Sequence, residues 1–260
     1  MDLSRTSLMD SQKVIQFDRV SKKFFVNREH MYVRSYFMRL PEIISGKGKS
    51  VHEVLQDVSF TINRGELVGI VGQNGSGKST LLKMMCNIIK PTQGTIHVHG
   101  KIAPLLELGA GFHPELSGRE NVYLYGAILG MRKSMVQKNW DSIIEFAQIG
   151  DFLDTKIKHF SSGMLVRLGF SVAIHLEYDI LVADEVLSVG DASFQEKCIR
   201  EIQKAHQLKK TIIFVSHDER LINRLATKTI HIQGRKISIS AHSKTHTEFY
   251  NENILRNIYV

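Results

Sequence analysis

The apolar residues of this chain fall into short runs typical of strands and longer stretches typical of helices. The run Leu67–Val71 predicts a buried strand, and the helix formers of Leu81–Cys86 predict a helix after it. Further strand patterns occupy 14–20, 55–62, 180–183 and 211–215, and further helical patterns occupy 28–40, 160–176, 194–206 and 219–225. Strands that alternate with helices in this way predict an α/β fold with a parallel sheet.

Two hairpins and a helical insertion complete the predicted elements. Strand patterns on both sides of Gly100 (95–99 and 101–106) and of Gly234 (229–232 and 236–240) predict the hairpins. The stretch 108–159 contains no convincing strand pattern. Ser117 and Glu120 have the spacing of a capping box, which predicts a helix ending at Gly130. A second helix is predicted over about 134–149, so the stretch reads as a helical insertion.

A glycine-rich segment lies between the strand at Leu67–Val71 and its following helix. Glycine there lets backbone N–H groups approach a phosphate, and the helix points its positive end at the same place. The predicted phosphate contacts are Gly72, Asn74, Gly75, Ser76, Gly77, Lys78, Ser79 and Thr80. Lys78 would supply positive charge, and the Ser79 hydroxyl could ligate Mg²⁺. A loop that only turns the chain is the structural alternative, and the spacing of these residues disfavours it.

Two carboxylates follow the apolar run 180–183. Asp184 would hold Mg²⁺ or its water, and Glu185 would polarise a water for attack on the terminal phosphate. An acidic helix cap is the structural alternative. His217 ends the next predicted strand, where its imidazole could donate to the terminal phosphate or to Glu185, although a histidine at a strand end is more often structural.

Composition narrows the class of protein only in part. The chain has 260 residues, a formal net charge of +8 and two cysteines without a CxxC partner, a usage that fits a reducing compartment. Basic residues are scattered, without the aromatic-interleaved stripe that favours nucleic acid. We find no secretory signal in Met1–Val14, and the longest uncharged apolar run, Leu168–Leu176, is too short to cross a bilayer. If the protein acts at a membrane, we expect another chain to span it.

The segment Phe160–Met164 places two serines and a glycine at a helix start. This is a second anion-binding element, although alone it would be an ordinary helix cap. The order of phosphate loop, helical insertion, SSGM, ILVADE, SVGD and Ser216–His217–Asp218 resembles the nucleotide-binding subunit of ABC transporters over about Val14–Ser240. More narrowly, SSGM with GAGFHPELSGREN and SVGDASFQEKC is similar to the ATPase subunits of bacterial exporters for O-antigen, capsule or teichoic acid.

The resemblance implies roles for these residues. The loop would bind ATP, with Lys78 on its outer phosphates and Ser79 on Mg²⁺. Asp184 would be the metal partner, Glu185 the catalytic base and His217 a switch histidine. The signature turn (Ser161–Gly163) would contact ATP held by a second subunit: Ser161 and Gly163 would reach its γ-phosphate, with Ser162 between them, and Gly190 and Asp191 would occupy the D-loop.

Two further assignments follow from the same resemblance. An aromatic residue ahead of the phosphate loop stacks on adenine in the family, and Phe25 and Phe24 are the candidates. Glu107 occupies the place of the family's glutamine at the entry to the helical insertion, where it would approach the metal and couple to the membrane subunit.

The implied assembly is a homodimer that holds ATP between its subunits and acts on an integral membrane permease. It would lie at the cytoplasmic face of the bacterial inner membrane, with the glycan contacted by the permease and no nucleic acid bound. We expect a RecA-like core with an antiparallel β subdomain and an inserted helical subdomain. The domain would span 1–240, with the insertion at about 108–167 and a short tail at 241–260.

Three alternatives remain at this point. An ABC-type ATPase could serve another exported substrate. A nucleic-acid ATPase of the repair class would need a coiled-coil insertion, and the translation type needs two ATPase units in one chain. A small-molecule kinase would need a lid, and the helical insertion could serve as one. The glutamate after the strand and the SSGM segment disfavour the kinase alternative.

Overall fold

A computed structural model describes residues 12–27, 49–185 and 190–241. The predicted helix at 28–40, residues 188 and 189 of SVGD, and the tail beyond 241 lie outside the described residues. The described strands are β1 (Lys13–Asn27), β2 (Lys49–Asn63), β3 (Leu67–Gly72), β4 (Gln93–Val98), β5 (Ile102–Leu105), β6 (Ile180–Asp184), β7 (Thr211–Val215), β8 (Lys228–Gln233) and β9 (Lys236–Ala241). The described helices are α1 (Lys78–Met85), α2 (Gly118–Ile128), α3 (Lys133–Lys138), α4 (Trp140–Ala147), α5 (Ser162–Ile174), α6 (Ala192–Gln207) and α7 (Glu219–Leu225).

A six-stranded sheet forms the centre of the molecule, with strand order β5-β6-β7-β3-β8-β9. The pairs from β5 to β8 are parallel, and β9 runs antiparallel to β8. Because β6, β7 and β3 are neighbours with one direction, their carboxyl ends meet at one edge. That edge is where open α/β sheets bind ligands.

The central strands of this sheet are buried on both faces because they alternate apolar side chains between a layer of α1 with the second sheet and a layer of helices. Val182 and Ile213 belong to the core shared with α1 and the second sheet. Leu181 and Phe214 belong to the core shared with α5, α6 and α7. Burying a side chain such as that of Phe214 stabilises the fold by about 1.5–3 kcal/mol.

A three-stranded antiparallel sheet, ordered β2-β1-β4, covers α1. The rings of Phe17 and Phe60 stack across β1 and β2 with centroids 4.5 Å apart. The predicted hairpin at 95–106 is therefore wrong. Its first strand is β4, which pairs with β1, and its second is β5, which pairs with β6 in the other sheet.

The break between β4 and β5 has a non-local cause. The Lys101 amide donates to the Asp179 carboxylate at 2.9 Å, and the Ile180 amide donates to the Lys101 carbonyl at 3.0 Å. These contacts draw the chain toward β6 immediately after the Gly100 turn. The predicted hairpin around Gly234 is confirmed by the antiparallel pairing of β8 with β9.

The helical insertion has a core of its own, contributed by α2, α3, α4 and α5. Ser117 and Glu120 form the predicted capping box at the start of α2. The helix predicted over 134–149 is instead divided at Asn139, whose side-chain amide donates to the Met135 carbonyl at 2.9 Å. Among the described residues, no helix combines the length and apolarity needed to cross a bilayer.

Candidate functional site

The glycine-rich segment forms a tight loop between β3 and α1. Gly75 and Gly77 have φ of +76° and +105°, a backbone region that disfavours residues with a Cβ. A Cβ at Gly72 would lie 2.6 Å from Ser76 Oγ and 2.7 Å from the Ile232 carbonyl oxygen. The loop geometry therefore requires glycine at these positions.

Lys78 crosses this loop from the first turn of α1. Its Nζ donates to the carbonyls of Gly72 at 2.9 Å and Gln73 at 3.1 Å. Burial lowers the pKa of Lys78, and the carboxylates of Glu185 and Asp184 oppose that shift. Because the Lys78 ammonium is partly dehydrated, water screens its positive charge less than at the surface. Such a charge can attract a phosphate strongly, even near two carboxylates.

A buried hydroxyl marks the interior of the loop. Ser76 Oγ is inaccessible to solvent and is the one such described side-chain atom without a hydrogen-bond partner. A buried polar group without a partner costs about 1–3 kcal/mol, and such groups occur where a ligand is bound. Asn74 and Ser79 are exposed on the same loop, where they line a surface suited to an anion.

The carboxyl edge of the sheet brings three predicted residues to this loop. Asp184 ends β6 opposite Val215 of β7, and Glu185 follows with its amide donating to the Val215 carbonyl at 3.2 Å. Glu185 has φ of +55°, uncommon for a residue with a side chain. Such strained positions cluster at functional sites, where the surrounding structure holds them.

His217 and Glu185 contact each other directly. His217 Nε2 lies 2.8 Å from Glu185 Oε1, and each side chain is about half exposed. Ser216 and Asp218 hold the turn after β7, with the Asp218 amide donating to Ser216 Oγ at 3.0 Å. The histidine can therefore orient the carboxylate while one of its oxygens stays accessible to solvent.

The signature turn (Ser161–Gly163) begins α5. Ser161 is the helix cap, and its Oγ accepts from the Met164 amide at 3.2 Å. Ser161 and Ser162 are exposed. Within the described part of the chain, none of the three residues forms a hydrogen bond or ion pair with the phosphate loop, so the chain does not bring the two elements together by itself.

Asp191 begins α6 and is its helix cap. Its Oδ1 accepts from Ser193 Oγ at 2.6 Å and from the Phe194 amide at 3.0 Å. Hydrogen bonds from Ser193 and Phe194, together with the nearby Arg167 guanidinium, lower the pKa of Asp191 to about 2. The carboxylate is therefore ionised at neutral pH.

Two predicted residues lie on the margins of the site. Phe25 is 64% exposed on β1 opposite Val51 of β2. Glu107 forms an ion pair with Lys83 on α1, at 3.3 Å between Nζ and Oε1. Their proposed roles toward adenine and the metal stay predictions.

Val54 packs against the phosphate loop, and sequence reasoning did not identify it. A Cβ at Gly77 would lie 2.6 Å from Val54 Cγ1, so β2 packs directly against the phosphate loop. Val54 is one of several alternating apolar residues in β2, and nothing local distinguishes it. Its role depends on how the second sheet sits over α1.

A phosphate loop between a parallel strand and a helix, with an acidic strand end beside it, defines a phosphate-loop nucleotide-binding protein. Solved structures agree with this fold. The ATP-binding subunit of an ABC transporter superposes with a TM-score of 0.71 at 18% identity, covering 91% of this chain and 93% of that chain. A dimeric ATP-binding cassette in a post-hydrolysis state with ADP and Pi gives a TM-score of 0.68 at 21% identity, covering 87% of this chain and 98% of that one.

The family follows from sequence similarity. Residues 55–188 match the model for the ABC transporter family. The O-antigen export system ATP-binding protein RfbB of Klebsiella pneumoniae is 46% identical over 198 residues, which are 76% of this chain and 80% of the relative. The teichoic acids export ATP-binding protein TagH of Listeria innocua is 43% identical over 198 residues, 76% of this chain and 59% of the relative. The chain belongs to the ABC transporter family and is one of its ATP-binding, ATP-hydrolysing proteins.

Proposed function

We propose that this chain powers the export of a cell-surface polysaccharide of the O-antigen, capsule or teichoic acid type across the bacterial cytoplasmic membrane. The observation that carries the proposal is the 43–46% identity, over three quarters of the chain, to ATP-binding proteins named for O-antigen and teichoic acid export. The proposed location is the cytoplasmic face of that membrane, bound to an integral permease that contacts the glycan. The domain would span 1–240, with the helical subdomain at about 108–167.

ATP would bind at the carboxyl edge of the central sheet. Backbone amides of 74–80 would surround its phosphates, and the Ser76 hydroxyl would gain the partner that its burial leaves it without. Lys78 would exchange its contacts with the Gly72 and Gln73 carbonyls for phosphate oxygens. Phe25 is the proposed stacking partner of adenine, supported by its exposure.

The oxygen donors at this edge fit Mg²⁺. The Ser79 hydroxyl and the Asp184 carboxylate are the hard ligands that this ion prefers, and we propose them as its protein ligands. When bound, the ion would neutralise charge on the phosphates. Glu107 is also proposed to approach the metal, for which its carboxylate would leave its ion pair with Lys83.

Glu185 is the proposed general base. Its carboxylate lies at the end of β6, and the 2.8 Å contact with His217 would fix its orientation toward a water aimed at the γ-phosphate. Lys78 would stabilise the negative charge that spreads over the phosphate oxygens during transfer. In this proposal Glu185 would act as the base, His217 as the orienting group and Lys78 as the cation.

A homodimer would complete this site. Ser161 and Ser162 are exposed, and among the described residues the signature turn forms no hydrogen bond or ion pair with the phosphate loop, so we propose that it acts on ATP held by a second subunit. Asp191 would lie beside it at the same interface. ATP would close the dimer and hydrolysis would reopen it, which would move the permease.

The test is Glu185→Gln. We expect the variant to bind ATP with wild-type affinity, to form a dimer with ATP and to hydrolyse it at least about a hundredfold more slowly, because the amide cannot accept the water proton. Size-exclusion chromatography with light scattering and a phosphate-release assay measure both properties. Glu145→Gln, an exposed substitution on α4, is the control and should hydrolyse ATP at the wild-type rate.

Wild-type hydrolysis by the Glu185→Gln variant would remove Glu185 from the mechanism, and a monomer with saturating ATP would refute the dimer. The export role has a separate test. Co-expression with the proposed integral permease should move the chain to the membrane fraction. Sedimentation that does not depend on that partner would contradict the proposed assembly.

A further inference from the structure

Arg167 links the signature helix α5 to the start of α6. It lies six residues after Ser161, in the second turn of α5, and its Nη2 contacts Asp191 Oδ2. Its guanidinium also lies over the Phe194 ring, 5.5 Å from the centroid. One side chain therefore reaches both the cap and the first turn of the neighbouring helix.

The Arg167 side chain is less exposed than the arginine side chains of comparable ion pairs. The Arg167 side chain is 25% exposed, whereas Arg119 and Arg224 in similar pairs are 46% and 47% exposed. Exposed ion pairs contribute little because water screens them. A less exposed arginine that also stacks on a ring is held in one orientation, so this contact is suited to positioning.

A separate apolar contact already fixes α5 against α6. Phe170 of α5 and Phe194 of α6 meet edge to face, 6.0 Å between centroids, inside the central core. That contact sets the distance between the helices and joins the middle of α5 to the first turn of α6. The Arg167–Asp191 contact lies nearer the starts of both helices, where Ser161 and Asp191 are the two helix caps.

We propose that Arg167 is a positioning residue that fixes the signature turn relative to Asp191, so that both segments meet the partner subunit's ATP together. This inference rests on the proposed dimer. Without Arg167, the Phe170–Phe194 contact would keep the helices packed while the two caps moved independently. The loss would fall on hydrolysis and on dimer closure rather than on folding.

The test compares Arg167→Met with Arg119→Met. Arg119 makes the same kind of contact elsewhere, with the Asp154 carboxylate at 2.7 Å and the Trp140 ring at 5.2 Å, and it serves as the matched control. We expect kcat for ATP hydrolysis to fall about tenfold in Arg167→Met, a loss typical of misplaced groups. Arg119→Met should keep the wild-type kcat, and the two variants should have similar melting temperatures.

Two further readouts separate positioning from a general structural effect. The affinity of the monomer for a fluorescent ATP analogue should stay within about twofold of wild type. The reason is that the monomer is proposed to bind ATP through its phosphate loop, to which Arg167 does not belong. Asp191→Asn keeps a good helix cap but loses the charge. It should lower kcat similarly, and the Arg167→Met/Asp191→Asn double variant should lose no more than the worse single variant.

Arg167→Lys should recover only part of the activity, since lysine keeps the charge but not the planar contact. A kcat for Arg167→Met equal to that of Arg119→Met, or losses that multiply in the double variant, would overturn the inference. Dimerisation of Glu185→Gln with ATP is measured alongside. If that dimer forms and Arg167→Met is fully active, only this inference falls; if no dimer forms, the proposed assembly falls and this inference with it.

Discussion

The phosphate loop and the signature turn both lie at helix starts for which we propose phosphate contacts, but they differ in what surrounds them. At the phosphate loop, Lys78 of α1 lies near the consecutive carboxylates Asp184 and Glu185 at the end of β6 in the same chain. At the signature turn, Ser161 caps α5 and is exposed, with no charged group of the phosphate loop in contact. The first region gathers its charged groups within one chain, whereas the second exposes its two serines.

Under the proposed dimer, a chain that carries every motif still needs a second subunit to complete its nucleotide site. At a helix start that faces outward, a serine side chain accepts a hydrogen bond from one backbone amide. The remaining amides of the first turn stay available to a ligand. Substitutions in the two regions should therefore have different effects. Changes at the phosphate loop should remove nucleotide binding, and changes at the signature turn should remove hydrolysis alone.

The largest expected effect is that of Lys78→Ala. It removes the cation that contacts the Gly72 and Gln73 carbonyls, so ATP affinity and hydrolysis should both fall at least about a hundredfold. Titration with a fluorescent ATP analogue and a phosphate-release assay measure the two losses. Lys204→Ala on α6 is the control, since that lysine pairs with Glu201 on an exposed surface. Unchanged affinity in Lys78→Ala would contradict the assignment of the loop.

A smaller and more selective effect is expected for Ser161→Ala, with Ser117→Ala as its matched control. Both serines are helix caps that accept from the third amide of their helix at 3.2 Å. Both substitutions should destabilise the protein by about 1 kcal/mol, measured by urea unfolding. Only Ser161→Ala should lower kcat, by about tenfold, with monomer affinity for ATP retained. Equal kcat in the two variants would show that Ser161 is merely a cap.

The smallest effect concerns pH and Asp191. Because its pKa is lowered from 3.8 to about 2 in the folded protein, ionised Asp191 contributes stability that is fully present above pH 3.8. That contribution is lost as pH falls through about 2. The difference in unfolding free energy between wild type and Asp191→Asn should therefore be constant at neutral pH and shrink between pH 4 and 2. A difference that does not change with pH would show that the charge of Asp191 contributes nothing.

The elements that formed as predicted are those whose signals are local. The capping box of Ser117 and Glu120, the strand Thr211–Val215 and the helix Glu219–Leu225 all follow from neighbouring residues. The hairpin predicted at 95–106 was wrong because a turn at Gly100 indicates a change of direction, not a pairing partner. Asp179, 78 residues beyond Lys101, decides where β5 pairs.

In the candidate site, too, some features follow from local sequence and others depend on the tertiary structure. Spacing alone predicts the phosphate loop and the acidic end of β6, because each motif is contiguous and its chemistry depends on few residues. The 2.8 Å contact between His217 and Glu185 depends on β6 and β7 being neighbours. The contact between Arg167 and Asp191 depends on the packing of Phe170 against Phe194, which no local pattern shows.

The sequence by itself determined the alternation of strands and helices, the phosphate loop and the order of the motifs, because backbone conformation and glycine spacing are local properties. Only the tertiary structure decided which strands pair, which carboxylate meets which histidine and which arginine holds the start of α6. Those contacts join residues distant along the chain, and they form only where the burial of two sheets and their helices brings them within hydrogen-bond distance.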